Sequence, residues 1–171
     1  MIFPGAVVFL KRMSAMGVIK IGLSVGDITY ATIEAVERYN FNRANGGKIT
    51  TAAKTWPEAI ARDILGVCAE IAVARWLDKF PTSLFADRKE GDVGEYEVRS
   101  TAYPYGKLLF QPDDNPERKY FLVTIDDHYQ ALIMGWLWGH EGLQDKYWDT
   151  SMPVPCYAVK QQHLRDPEDL D

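Results

Sequence analysis

The stretch Gly91-Asp92-Val93-Gly94-Glu95-Tyr96-Glu97-Val98-Arg99-Ser100-Thr101 decides how this chain is read. From Glu95 onward, apolar and charged residues alternate with the period of two that marks a strand, whose successive side chains point to opposite faces. Tyr96 and Val98 therefore share one face, and Glu97 and Arg99 the other. Gly94 permits a turn ahead of the strand, and that turn can fold Asp92 back beside Glu97. Two carboxylates and a cation then meet at one strand end. A lone Glu-x-Arg is ordinarily a solvated ion pair, so the weight of the pattern rests on its surroundings.

A helix precedes it. Thr55-Trp56-Pro57-Glu58 supplies a cap threonine, a proline in the first turn and a glutamate three residues on, which predicts a helix running to about Lys79. Over residues 64–77, Leu65, Val67, Cys68, Ile71, Val73, Trp76 and Leu77 leave no polar stripe, and a helix apolar all round is buried. Glu70 falls among Gly66, Val67, Ala74 and Leu77 and so faces the interior, where a carboxylate is costly unless it is paired or binds a metal. A salt bridge to Arg62, Arg75 or a distant basic residue stands beside metal binding as its explanation. Earlier still, Ser24-Val25-Gly26-Asp27 resembles a capping box with Asp in place of Glu. Apolar positions Ile28, Ala31, Ala35 and Val36 then give a helix over 25–43, ended by Asn45-Gly46-Gly47.

Beyond Pro81 the pattern changes to short runs rich in β-branched and aromatic residues, predicting strands at 83–86, 95–101, 107–111, 120–125 and 131–138. Tyr103-Pro104-Tyr105-Gly106 reads as a hairpin turn between the second and third of these. Residues 112–116 form a loop, 143–148 a short helix, 154–159 a strand, and the polar end from Gln161 is expected to fray. The fold class is α/β, a mixed central β-sheet flanked by helices. One domain spans 1–171, with an N-terminal helix at 25–43, a core at 55–125 and a C-terminal extension at 126–171. Hydrophobic residues at 47% and charged residues at 25% of the chain suffice for a core and exclude a disordered composition.

The order of these features is a buried helix glutamate, a strand, an aspartate at a turn, then apolar-Glu-apolar-basic in a strand. It resembles the PD-(D/E)XK, or restriction endonuclease-like, nuclease superfamily, whose core is a helix packed on a mixed sheet with that order of acidic residues. The resemblance covers about residues 65–125, and Glu-Val-Arg-Ser-Thr followed by a turn and a Leu-Leu-Phe strand also looks like small phage proteins of this type. It implies a metal-dependent nuclease acting on DNA, with Glu70, Asp92, Glu97 and Arg99 as the catalytic set. Asp92, Glu97 and the Val98 carbonyl would hold Mg²⁺ or Mn²⁺, with Glu70 contributing directly or through water; these are the hard oxygen ligands such ions take. The departure is Arg99, where the family usually has lysine. A guanidinium stays protonated and can orient phosphate but not act as a base, so Lys107 or Gln111 of the next strand is a candidate assistant. The alternative is a non-catalytic nucleic-acid- or protein-binding module that retains a nuclease-like fold.

The formal net charge of −5 argues against a broad basic surface for nucleic acid, although a bound cation can itself supply positive charge at a phosphate. Pro112-Asp113 with Glu117-Arg118-Lys119 fits the literal family motif better than the preferred residues do, but it sits in a Pro/Asn loop without the alternation that would hold two ligands rigidly. His128, His140 and His163 are too scattered for a zinc site, and Trp136, Trp138, Tyr147 and Trp148 are read as core rather than base-stacking residues. Cys68 and Cys156 cannot form a disulfide framework of the secreted kind; Cys68, in an apolar helical stretch, is expected to be a reduced, packed thiol, and neither is assigned a catalytic role. The apolar run at 2–10 is too short for a bilayer, which needs about 20 residues, and carries no signal-peptide pattern. A cytoplasmic protein without a membrane partner is expected, in the host cytoplasm if the chain is phage-encoded.

Overall fold

The computed structural model describes residues 17–45, 55–82 and 91–170. The expected apolar run at 2–10, the glycine pair at 46–47 and the strand at 83–86 lie outside them. Helix α1 spans Val25–Ala44, and its capping box is made: Ser24 accepts from the Asp27 N–H while the Asp27 carboxylate accepts from the Ser24 N–H. Helix α2 spans Trp56–Trp76 behind the Thr55 cap. It stops short of Lys79 because Leu77 closes it and Asp78 adopts φ 52°, a left-handed conformation that cannot continue a helix. Every residue from Val67 to Ala74 is buried, as the all-round apolar pattern requires.

Strands β1 (Ile19–Gly22), β2 (Tyr96–Thr101), β4 (Lys119–Ile125) and β5 (Gln130–Trp138) form one sheet in the order β1-β5-β4-β2. Within it β2 and β4 are parallel, while β5 is antiparallel to both β4 and β1. Strands β3 (Leu108–Phe110), β6 (Trp148–Asp149) and β7 (Cys156–Val159) form a second, antiparallel sheet in the order β3-β7-β6. A four-residue helix α3 (Gly139–Gly142) follows β5. Among the described residues the fold is thus mixed α/β with two sheets. The chain lies in layers: α2 packs on one face of the large sheet and the small sheet covers the other. Strand β4 is buried at every position because both of its faces are covered. Phe121, Val123 and Ile125 point to the helix side with Val67, Ile71 and Ala74, whereas Tyr120 and Leu122 point to the other side with Leu108, Phe110 and Val159.

The turn expected at 103–106 is made, with the Gly106 N–H donating to the Tyr103 carbonyl at 2.8 Å, but it does not join a hairpin. Strand β2 does not pair with β3; it pairs with β4 in parallel, and the intervening chain crosses over through the second sheet. A parallel partner needs a long connection, and the stretch from Thr101 to Lys119 supplies it. The apolar Leu-Leu-Phe segment is a strand in either arrangement, so its composition does not select the neighbour. The helix expected at 143–148 is replaced by α3 and a single 3₁₀ turn at Asp145–Tyr147. The tail does not fray: Arg165 exchanges both backbone hydrogen bonds with Trp136 (3.2 and 2.9 Å), and Leu164 is buried. Strand β1, which the pattern reading passed over, is a half-buried edge strand too short to show a periodic signal. Among the described residues, no helix is long and apolar enough to cross a membrane.

Candidate functional site

Strand β2 alternates as its sequence dictates. Tyr96 and Val98 enter the helix-side core, leaving Glu97 and Arg99 on the opposite face. Gly94 takes φ +62°, a backbone conformation that L side chains rarely adopt, and so makes the turn ahead of the strand. Tyr96 then exchanges both backbone hydrogen bonds with Val93, at 3.2 and 3.1 Å, across the edge of β2 away from β4. Backbone groups alternate along a strand, so Val98 turns its N–H and carbonyl to the same edge. The Val98 N–H donates to Asp92 Oδ2 at 2.8 Å. Asp92 is therefore folded back onto β2 and bridges its two faces.

Arg99 gathers the carboxylates. Its guanidinium lies 2.9 Å from Asp114, 3.6 Å from Glu97 and 4.0 Å from Asp92, and over the Tyr120 ring at 5.1 Å. Glu97 is also ion-paired with Arg118. On the helix side, both oxygens of Glu70 accept from Arg38 at 2.7 Å, and Arg38 reaches Glu34 at 3.2 Å. The distant basic partner of Glu70 is thus Arg38 of α1; Arg75 turns instead to Asp27. Acidic and basic groups alternate through this network, in which the charge of Glu70 acts on Asp92 and that of Asp92 on Glu97.

The electrostatics follow from that crowding. Burial, and then the charge of Glu70, push the Asp92 carboxyl above its ordinary range against the pull of the Val98 N–H and the arginines. Burial, and then the charge of Asp92, do the same to Glu97. For Arg99 burial works downward, but Asp114, Asp92 and Glu97 outweigh it and hold the guanidinium charged. Burial, followed by Asp114 and Glu97, pushes the Tyr120 hydroxyl up to about 12. Asp92 and Arg99 nonetheless remain open to solvent, with 30% and 31% of their side-chain surface exposed, so a solute can reach them.

Of the expected residues, Asp92, Glu97 and Arg99 thus meet at one strand edge, with the Val98 carbonyl turned the same way, whereas Glu70 stays on the helix side with Arg38 and reaches Asp92 through its charge. Lys107 does not join them; it pairs with Asp149 at 2.9 Å in the second sheet. At Gln111 the backbone N–H donates to Asp114 at 2.9 Å, which helps fix the loop. Sequence reasoning missed Arg38, Asp114, Arg118 and Tyr120. Arg38 lies on the same α1 face as the buried Ala31 and Glu34, a spacing that could have marked it. Asp114 and Arg118 belong to the loop set aside as a decoy, and nothing local distinguishes them from solvated charges. No protein-family model, curated protein or solved structure matches this chain.

Proposed function

We propose that this chain is a metal-dependent phosphodiesterase acting on DNA, with a restriction endonuclease-like core formed by α2 and the large sheet. The observation that carries the reading is the meeting of Asp92 and Glu97 around Arg99 at an open strand edge to which Val98 also turns its backbone. Among the described residues no three metal-binding side chains of the Asp, Glu, His or Cys type converge. Mg²⁺ commonly takes only one or two carboxylates and completes its shell with water and substrate phosphate, so an oxygen set of Asp92, Glu97 and the Val98 carbonyl fits it, as it fits Mn²⁺. When bound, such an ion supplies an acidified water and positive charge at the phosphate.

The remaining roles belong to the chain itself. Arg99, held charged and steadied over Tyr120 by Asp114, orients a phosphate oxygen through its rigid fork of donors. It stays protonated at neutral pH and has no lone pair with which to accept a proton, so it is not the base. Glu70 has both oxygens on Arg38 and acts on the site through its charge, by keeping Asp92 proton-hungry.

The test is a set of melting curves for wild type and Asp92→Asn, with and without about millimolar Mg²⁺ or Mn²⁺, alongside cleavage of single-stranded and duplex DNA. Binding at about 100 times Kd stabilises by roughly 2.7 kcal/mol. Wild type should gain that stability and cut DNA. The variant keeps an acceptor for the Val98 N–H, should be no less stable without metal, and should lose both the metal response and cleavage. A wild type indifferent to both ions and inert on DNA would support the second reading, a non-catalytic binding module. That reading is favoured by the fact that Arg38, Arg99 and Arg118 already balance the carboxylates. Stability of Asp92→Asn alone does not separate the two, because Asp114 still compensates Arg99 in the variant.

A further inference from the structure

A cleft of about 540 Å³ opens beside the paired carboxylates, between the turn at 91–95, residues 117–119 that lead into β4, and Trp138. Its size is that of a small-ligand pocket, for which roughly 300–1,000 Å³ is usual. It shares with the site both the turn that carries Asp92 and the Arg118–Glu97 ion pair. Lys119 and Trp138 are opposite one another on β4 and β5, with the ammonium 4.9 Å from the indole centroid. The indole also stacks with His140, which fixes it as one wall. Glu95 and Glu117 line the cleft as well.

We infer that this cleft is a subsite for one nucleotide of single-stranded DNA, next to the phosphodiester bond at Asp92 and Glu97; the inference rests on the phosphodiesterase reading and names its substrate form. A nucleotide combines an anionic group, a flat apolar body and N–H donors. The cleft offers each its counterpart. Arg118 brings its guanidinium charge to the cleft beside Glu97 for a phosphate oxygen, the Trp138 indole meets the base, and Glu95 accepts from a base amino group. Duplex DNA suits this surface poorly, because it is held by a broad basic face through counterion release and the chain has a net charge of −5. A strand threaded through one cleft needs no such face.

The experiment measures binding of a mixed-sequence single-stranded oligodeoxynucleotide and of its blunt duplex by fluorescence anisotropy, in EDTA so that neither is cut. Wild type is compared with Glu117→Trp, which fills the cleft from an exposed loop position, and with Glu117→Gln, which leaves it open. Single strand should bind about tenfold more tightly than duplex, and Glu117→Trp should weaken it by about tenfold, the size of one lost base–aromatic contact. Glu117→Gln should change binding less than about threefold. Both variants should keep the metal-induced rise in melting temperature. If Glu117→Trp fails to fold, Glu95→Trp fills the cleft from its other wall. Equal affinity for duplex and single strand, or single-strand binding unchanged in the filled cleft, overturns the inference even where metal response and cleavage persist. Loss of metal response and cleavage with cleft binding intact would instead sink the phosphodiesterase reading and leave the subsite standing.

Discussion

Asp92 and Glu97 hold their protons more tightly in the folded chain than in the unfolded one, because both are partly withdrawn from water and each feels the charge of another carboxylate. A carboxyl raised on folding makes stability rise as pH falls from the folded value toward the ordinary carboxylate range. Without metal, wild type should therefore melt higher at about pH 5 than at about pH 7, and Asp92→Asn should flatten that slope. Groups lowered on folding act in the opposite sense and in a more acidic window. Asp149, brought to about 2 by Ser151 and Lys107, belongs to them, as do Asp27 and Glu141. The difference between the two melting profiles isolates the raised pair. A wild-type slope identical to that of Asp92→Asn would mean that the pair does not titrate as argued. Substituting Arg99 with Lys should keep the charge but lose the planar fork that reaches Asp114 and lies over Tyr120. Under the phosphodiesterase reading, KM for DNA should then change more than the metal-induced stabilisation does, which kinetics and melting curves measure separately.

Between elements, the Arg38–Glu70 pair joins α1 to α2 beneath the site, as Arg75–Asp27 joins them elsewhere. Glu70 is 4% exposed, so Arg38→Met leaves a buried charge bare and should cost roughly 3–5 kcal/mol in urea unfolding. The double variant Arg38→Met, Glu70→Met should recover most of that loss, because a well-packed apolar pair is often neutral against a buried ionic one. Failure of the double variant to recover would show that the pair carries more than mutual neutralisation. These elements also show what a sequence discloses. Both helices, the burial of Glu70 and the alternation that sets Glu97 beside Arg99 are legible because caps and periodicity are local. The partner of Glu70 is not, since it lies on another helix that only the tertiary fold brings near. The placement of β3 was missed for the same reason: strand pairing is decided by packing against distant residues, and Leu108–Phe110 carries no mark of which sheet it joins.

At the scale of the whole molecule, the two cores depend on a bulge in β5. The register with β4 skips one residue between Leu122 and Val123, and Gly135 takes φ +145° there. The extra residue lets Ile133 and Trp136 face the helix side while Met134 and Leu137 face the small sheet. A Cβ on Gly135 would strike the Arg165 carbonyl, so Gly135→Ala should lower the melting temperature by several degrees, at about 2–4 °C per kcal/mol for a chain of this size. An unchanged melting temperature would mean that the tail can yield at no cost. That tail also reaches the start of the described chain: the Asp166 carboxylate accepts from the Gly17 N–H at 2.6 Å, and the Asp166 carbonyl accepts from the Trp136 indole at 3.0 Å. A ribosome delivers residues in order, so a nascent chain holds Trp136 without its seal until position 166 has emerged. Until it does, the growing polypeptide presents an aromatic surface of the kind that chaperones recognise.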